Sequence, residues 1–342
     1  MPEAPMPELA VAARAGGDSW ARLMAARFMA SRSRRPYLLA AGVFLVLAGI
    51  NAALQPTFLT YGVAVSNLTA FLPLTLLAIG QTFVVLGSDI DLSNGGTVSL
   101  VNVSVVMIIE GLGGGAASFI AGIAAGIAIG VAAGTLNGIC VAYLRFQPIV
   151  TTFATSIIFT GLALWVLPQA GGQVPPEFYV TYAGDILFVP TVVWILALAI
   201  LFAAVVVRLR FFHALRATGG NMQAAFQTGL PVARVRLVSY VISGLFAALC
   251  GLALVGETAS GDPLIGGALT LSSVTAVVLG GTSLAGCVGS VTGSILGAFI
   301  LGLINNVIFF AHVPFEWQGL IQGAIILVAL SGGVVLAHRA RD

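Results

Sequence analysis

The chain has 342 residues, 59% hydrophobic and only 8% charged, with 14 basic against 12 acidic side chains and a formal net charge of +2. Soluble domains average about 45–50% apolar and about 25% charged. The composition, with a mean hydropathy of +1.07, therefore excludes a soluble globular protein and indicates an integral membrane protein.

All 14 Lys/Arg positions are arginine. Without lysine there is no GxxxxGK[ST] phosphate-binding loop, so the chain is not expected to hydrolyse ATP. Cys140, Cys250 and Cys287 are odd in number and lack CxxC spacing, and the three histidines (His213, His312, His338) fall near membrane edges. No disulfide framework, metal site or catalytic triad is indicated, and the chain does not read as an enzyme. The apolar runs are continuous rather than alternating, so the spanning elements are expected to be helices, which satisfy their own backbone hydrogen bonds in lipid.

Residues 1–36 carry Arg14, Arg22, Arg27, Arg32, Arg34 and Arg35 and no long apolar core, which argues against a signal peptide. Asp18 and Ser19 could cap a short helix whose Trp20, Met24 and Phe28 share one face, as in an interfacial helix on the cytoplasmic surface; a disordered basic tail fits as well.

A span needs about 20 apolar residues. On that basis spans fall near 37–54, 64–87, 95–112, 117–143, 148–168, 190–208, 237–256, 269–281, 290–311 and 316–337, the eighth short and flanked by glycine. With both termini inside, Arg145, the cluster Arg208, Arg210, Arg216, Arg234 and Arg236, and the tail Arg339 and Arg341 all fall on the cytoplasmic side. The outside loops 169–189, 257–268 and 312–315 hold no arginine. The expected fold is thus all-α: a polytopic transmembrane bundle of about ten spans. A cytoplasmic segment 1–36 precedes the transmembrane domain 37–337, and a cytoplasmic tail 338–342 follows it.

GSDIDLSNGG (87–96) interrupts the apolar pattern with Asp89 and Asp91. A carboxylate at the bilayer centre costs about 2.5–3.5 kcal/mol even on insertion scales, so a turn between spans is the natural place for them. Gly95 follows, and Ser93 and Asn94 are suited to capping the next helix. Further along, GIAAGIAIGVAAG (122–134) reads as close helix–helix packing. TFVVLG (82–87) and TAVVLG (275–280) agree at five of six positions, which is either an internal duplication or a chance match in a Val/Gly/Leu-rich chain. The Pro/Gly-rich loop 169–189 reads as a surface feature.

The inside segment 208–236 contains RATGGNMQAAFQTGLPVARVR. Asn221 is a good N-cap, Met222 to Thr228 give about two helical turns, Gly229 supplies a stop and Pro231 follows. Such a knob suits a groove on a partner; a plain connecting loop is the bland reading. Polar residues inside the spans, Gln81, Thr82, Asn102, Asn137, Thr152, Thr155, Asn305 and Asn306, could line a path for a hydroxylated solute or bond neighbouring helices.

The 216–236 stretch resembles the Gly-Gly-Asn-Pro-Glu-Ala-Ala segment of the inner-membrane permeases of ribose-type ABC importers. The resemblance continues in order through IDLS (90–93), LNG (136–138), AYLRFQPIVTTFAT (142–155), SGDP (260–263), VVLGGTSLAG (277–286), GS (289–290) and LGLINNV (301–307), covering roughly 64–335. Departures are Ser88-Asp89 where the family has Gly-Gly, Asn94 for Val, Met222-Gln223 for Pro-Glu, and Cys287-Val288 where Gly-Arg is common.

The resemblance implies a multi-pass protein of the bacterial inner membrane that imports a monosaccharide or related polyol. It also implies two cytoplasmic ATPase subunits that use the ATP, a periplasmic solute-binding protein and a second permease chain, identical or not; this chain binds no cofactor. Nucleic acid is not a partner; membrane lipid is. In that picture Gly220, Asn221, Ala224, Ala225 and Gly229 form the ATPase-coupling segment. Asp91, Ser93 and Gly95 form a gate or turn, while Asp89 is unaccounted for beyond water exposure at the cytoplasmic face. Gln81, Asn137, Thr152, Thr155, Asn305 and Asn306 are the candidate path. Within the superfamily the rivals are a nucleoside, a furanone-like signal or a branched-chain amino acid. The rival of another class is a secondary transporter coupled to ions through Asp89 or Asp91.

Overall fold

In the computed structural model, residues 35–314 are described, together with helical positions 317, 319–321, 323, 324 and 327. The basic segment with Trp20, Met24 and Phe28, most of the last expected span and the tail 338–342 lie outside the described residues. The helices are α1 (Arg35–Leu54), α2 (Tyr61–Leu86), α3 (Asn94–Gly111), α4 (Ala116–Ala142), α5 (Pro148–Val166), α6 (Pro176–Ala183), α7 (Thr191–Arg208), α8 (Arg210–Gly220), α9 (Met222–Gln227), α10 (Val232–Thr258), α11 (Gly267–Leu279) and α12 (Val291–Phe310). Among the described residues seven are long and apolar enough to cross a membrane: α2, α3, α4, α5, α7, α10 and α12. The chain is an all-α polytopic bundle.

Two stretches read as loops hold regular structure. The 169–189 segment forms α6 and leads into a two-stranded antiparallel pair, β1 (Asp185–Ile186) with β2 (Val189–Pro190), Asp185 opposite Pro190. Before Asn221, RFFHALRATGG winds into α8, because Phe212, Leu215 and Thr218 recur at helical spacing and bury one face while the arginines stay outside. Phe212 meets Phe83 of α2 edge to face, ring centroids 6.3 Å apart.

Helix α10 is central, packed along α4, α2 and α3; α5 lies on α3, and α12 lies between α1, α2 and α11. Glycine determines how close α4 and α10 come. Gly122, Gly126, Gly130, Gly134 and Gly138 recur every fourth residue and are therefore stacked on one face of α4. A methyl group at Gly134 would strike the Tyr240 carbonyl, and one at Gly130 the Gly244 carbonyl. Contact between backbones is how helices gain dispersion energy where lipid leaves no hydrophobic drive.

Helix α11 differs from the rest. Its 13 residues rise only about 20 Å, against a hydrocarbon core of about 30 Å. The eighth expected span is therefore a half-helix. Its C-terminus repeats that of α2: the Asp89 N–H reaches the Val84 carbonyl (3.2 Å) and the Thr282 N–H the Val277 carbonyl (3.1 Å). Ser88 (φ 65°) and Gly281 (φ 84°) occupy the same left-handed position. The two echoing sequences thus end helices identically and side by side, for the Cys287 N–H bonds the Leu86 carbonyl at 3.0 Å.

The described arginine side chains gather at one end of the bundle, where α4 meets α10 and α7 meets α8. The other end carries Glu110, Glu177, Asp185, Glu257 and Asp262 at the ends of α3 and α10 and in the connections.

Candidate functional site

Between α2 and α3 the chain leaves helical geometry at Ser88 and runs through 89–93 inside the bundle before Asn94 restarts a helix. Asp91 is 1% exposed. Its Oδ1 accepts the Ser93 N–H (2.9 Å) and the Ser93 hydroxyl (2.6 Å), while the Ser243 hydroxyl of α10 lies 3.1 Å from its Oδ2. The chain of bonds goes on outward: Asn137 Nδ2 donates to Ser93 Oγ (2.7 Å), and the Thr155 hydroxyl donates to Asn137 Oδ1 (2.7 Å). The Thr152 hydroxyl accepts the Leu92 N–H (3.0 Å) and donates to the Pro148 carbonyl (2.9 Å). Asn94 Nδ2 donates to Gln81 Oε1 at 2.7 Å; with its amide turned over, Gln81 clasps the Asp91 peptide instead, at 3.2 and 3.3 Å. Ser93 and Ser243 thus donate to the carboxylate itself, while side chains from α4 and α5 brace the non-helical stretch, whose own backbone must be satisfied within the protein.

Of the sequence candidates, Gln81, Asp91, Ser93, Asn137, Thr152 and Thr155 come together here. Asn306 and Asn305 do not: Asn306 Nδ2 donates to Asn67 Oδ1 (2.9 Å) toward the acidic end, and Asn305 is exposed on α12. Ser93 does not cap α3 through its side chain, since its hydroxyl is committed to Asp91. Sequence reasoning missed Ser243, 152 residues from Asp91, because a lone serine in an apolar helix carries no local signal.

Asp89 is nearly buried, at the wall of a cavity at the arginine end. It is 4% exposed, and Arg236 grips it with both arms, Nε to Oδ2 and Nη2 to Oδ1, each 2.8 Å. Burial pushes the Asp89 carboxyl above the usual carboxylate range, and the guanidinium beside it pulls it back. The pair joins the broken stretch to the start of α10.

A second interruption meets the first. Residues 259–266 fold back along α3: the Asp262 N–H bonds Asn102 Oδ1 (2.8 Å), the Gly266 N–H bonds Ser99 Oγ (3.0 Å), and the Gly95 N–H bonds Thr270 Oγ1 (3.1 Å). Gly95 and Gly266 touch backbone to backbone, and a methyl group on either would collide with the other. Leu264, Gly267, Ala268 and Leu271 then line an open face of the half-helix. Irregular backbone at membrane depth is tolerated only against protein or a water-filled cavity, and here 259–266 packs against α3.

At the arginine end, α9 is a short exposed knob. Asn221 Oδ1 accepts the Ala224 N–H (2.9 Å), Gly229 stands at φ 82°, and the Leu230 N–H closes the helix onto the Ala225 carbonyl (3.1 Å). Ala225 is buried beneath it; Gly220, Asn221 and Ala224 are exposed, and Phe226 is 71% exposed. Beside α9 lies a cavity of about 1040 Å³ lined by Arg145, Phe146, Met222, Phe226 and Arg234. The preceding helix α8 is tied to the first interruption and to the turn that follows α11. Ser88 Oγ reaches the carbonyls of Gly219 (2.8 Å) and Ala285 (2.6 Å), and Arg216 Nε donates to the Cys287 carbonyl (2.8 Å). Cys287 itself stands at φ 63°, a left-handed position that favours glycine.

Residues 63–330 match the model of the branched-chain amino acid transport system / permease component family. The chain is 32% identical over 300 residues to the ribose import permease protein of Escherichia coli strain K12, covering 84% of this chain and 90% of that one. It is 34% identical over 296 residues to the ribose import permease protein of Bacillus subtilis, covering 84% and 89%. It is also 32% identical over 259 residues to the autoinducer 2 import system permease protein of Yersinia pestis, covering 75% and 73%. No solved structure matches the chain. A match over most of its length, on a bundle with seven helices long and apolar enough to span, shows that the chain belongs to this permease family, as a multi-pass protein of the bacterial inner membrane.

Proposed function

We propose that the chain is the permease subunit of an ATP-binding-cassette importer for a monosaccharide or related polyol. A periplasmic binding protein delivers the solute, separate ATPase subunits supply the energy, and a second permease chain, identical or not, completes the pore. The observation that carries this reading is the direct bonding of α8 to the broken stretch and to the turn after α11, through Ser88, Gly219, Ala285, Arg216 and Cys287. A push on the exposed α9 therefore has a short, hydrogen-bonded route to the broken stretch 87–93 and to the turn at the C-terminal end of the half-helix α11. Gly220, Asn221, Ala224, Ala225 and Gly229 act as the coupling segment in this picture. The Gly95–Gly266 contact is the gate, with Asp91 and Ser93 holding its shape. The open face of α11 and the exposed Asn305 line the path against the second chain. Gln81, Asn137, Thr152 and Thr155 brace the interruption rather than face the solute, because each is buried and engaged.

The names of the relatives favour a sugar or the small oxygenated autoinducer over a branched-chain amino acid. The buried arrangement supports the same preference: no arginine pairs with Asp91 among the described residues to form a zwitterion-binding site. Affinity purification from the native membrane should bring down an ATPase in near-equal amount. Asn221→Pro should release it while membrane insertion stays intact, since φ −158° at Asn221 is closed to proline. Recovery of the chain alone, with transport in liposomes that a protonophore abolishes at constant ATP, would favour the ion-coupled reading through Asp89 or Asp91.

A further inference from the structure

A second cavity, of about 530 Å³, opens at the arginine end between α7, α8 and α12 and shares no lining residue with the one beside α9. Its rim carries Arg208, the last residue of α7, and Arg216 of α8. Among the described residues no carboxylate pairs with either. Arg216 spends its Nε on the Cys287 carbonyl, which fixes the guanidinium and leaves its other donors free. Below the rim the wall turns apolar, with Ile200, Ala204 and Val207 on α7 and Ile295 on α12. From Arg208 to Ile200 is eight residues of helix, about 12 Å of descent into the hydrocarbon. That wall runs on into the outward face of α7, where Leu198, Leu201 and Val205 are exposed.

Two unpaired cations above an apolar trench that opens to the acyl chains match one chemistry. We propose that this cavity binds an anionic phospholipid of the cytoplasmic leaflet, its phosphate on Arg208 and Arg216 and one acyl chain along α7 and α12. The ends of α7, α8 and α12 meet beside the Cys287 turn, so a lipid seated there would brace the mount on which α8 is held. An acidic segment of a protein would satisfy the arginines but would leave the apolar trench below them unfilled.

The test uses the purified full chain. Phosphatidylglycerol, phosphatidylcholine with the same acyl chains, and sodium phosphate are compared by lipid retained in mass spectrometry and by thermal unfolding. Two arginines near an anionic surface imply about a thirty-fold preference for phosphatidylglycerol, roughly 2 kcal/mol. Arg208→Gln, at the exposed end of α7, should cut that preference about five-fold. Ala204→Trp, which fills the trench without changing charge, should reduce retention equally. Arg234→Gln removes the same charge at the other cavity and should change neither. Equal retention of the two lipids, or an Arg234→Gln effect as large as that of Arg208→Gln, would overturn the site. So would stabilisation by phosphate alone as great as by phosphatidylglycerol, or protection of the cavity only when an ATPase subunit is bound. The readout needs no transport, so its failure leaves the permease reading standing, and the converse holds.

Discussion

Removing one partner of the Asp89–Arg236 pair should damage the protein far more than removing both. The pair is bidentate, both bonds are 2.8 Å, and the side chains are 4% and 11% exposed. Arg236→Gln leaves a nearly buried carboxylate without its counter-ion, and breaking a buried pair costs about 3–5 kcal/mol. Asp89→Asn should cost less, about 1–3 kcal/mol, because the arginine is the more exposed partner and keeps a long contact to the Val141 carbonyl (3.4 Å). The double variant Asp89→Asn, Arg236→Gln removes both charges, and neutral replacement of buried pairs is often nearly harmless. A double-mutant cycle on the detergent-solubilised chain, read by denaturant unfolding, should therefore give a coupling energy of at least about 2 kcal/mol. Additive single effects, with coupling below about 0.5 kcal/mol, would mean that Asp89 reaches water after all, and the ion pair would not hold the broken stretch.

Other substitutions test the packing and the turns. Gly244→Val should destabilise by at least about 2 kcal/mol, because its side chain would enter the Gly130 carbonyl; Gly161→Ala, with nothing within 4 Å, should be neutral or slightly stabilising in the same assay. Cys287→Gly should raise the unfolding free energy by up to about 1 kcal/mol, since it relaxes a left-handed residue whose side chain makes no hydrogen bond; a loss of stability would refute the backbone-strain argument. Asn137→Leu should cost about 1–2 kcal/mol by removing one bond each from Ser93 and Thr155, which keep their bonds to Asp91 and the Thr152 carbonyl, and Thr155→Val on that background should cost little more. Gly229→Trp should lower ATP-coupled uptake through the backbone alone, as φ 82° disfavours any side chain while space around it is open; unchanged uptake would count against α9 as the coupling helix.

What could be read from the residues in order is whatever depends on short range or on solvent preference. Hydropathy placed the helices to within a few residues, because burial in lipid acts on each segment independently. The Asn221 cap and the Gly229 stop were legible because their hydrogen bonds close within five residues. The sequence alone also placed the turn that carries Asp91, since a carboxylate between two apolar runs has few places to go. It could not say that Asp89 is buried, for its partner lies 147 residues away and arginine in a basic cluster looks solvated. Nor could it distinguish a half-helix from a short span at α11, or say which polar side chains bond one another. Those were decided only when α3, α4, α5, α10 and α11 were brought together. The partners of Asp91, Asn137 and Gly95 come from other helices, and hydrogen bonds between helices follow from packing that no local pattern encodes.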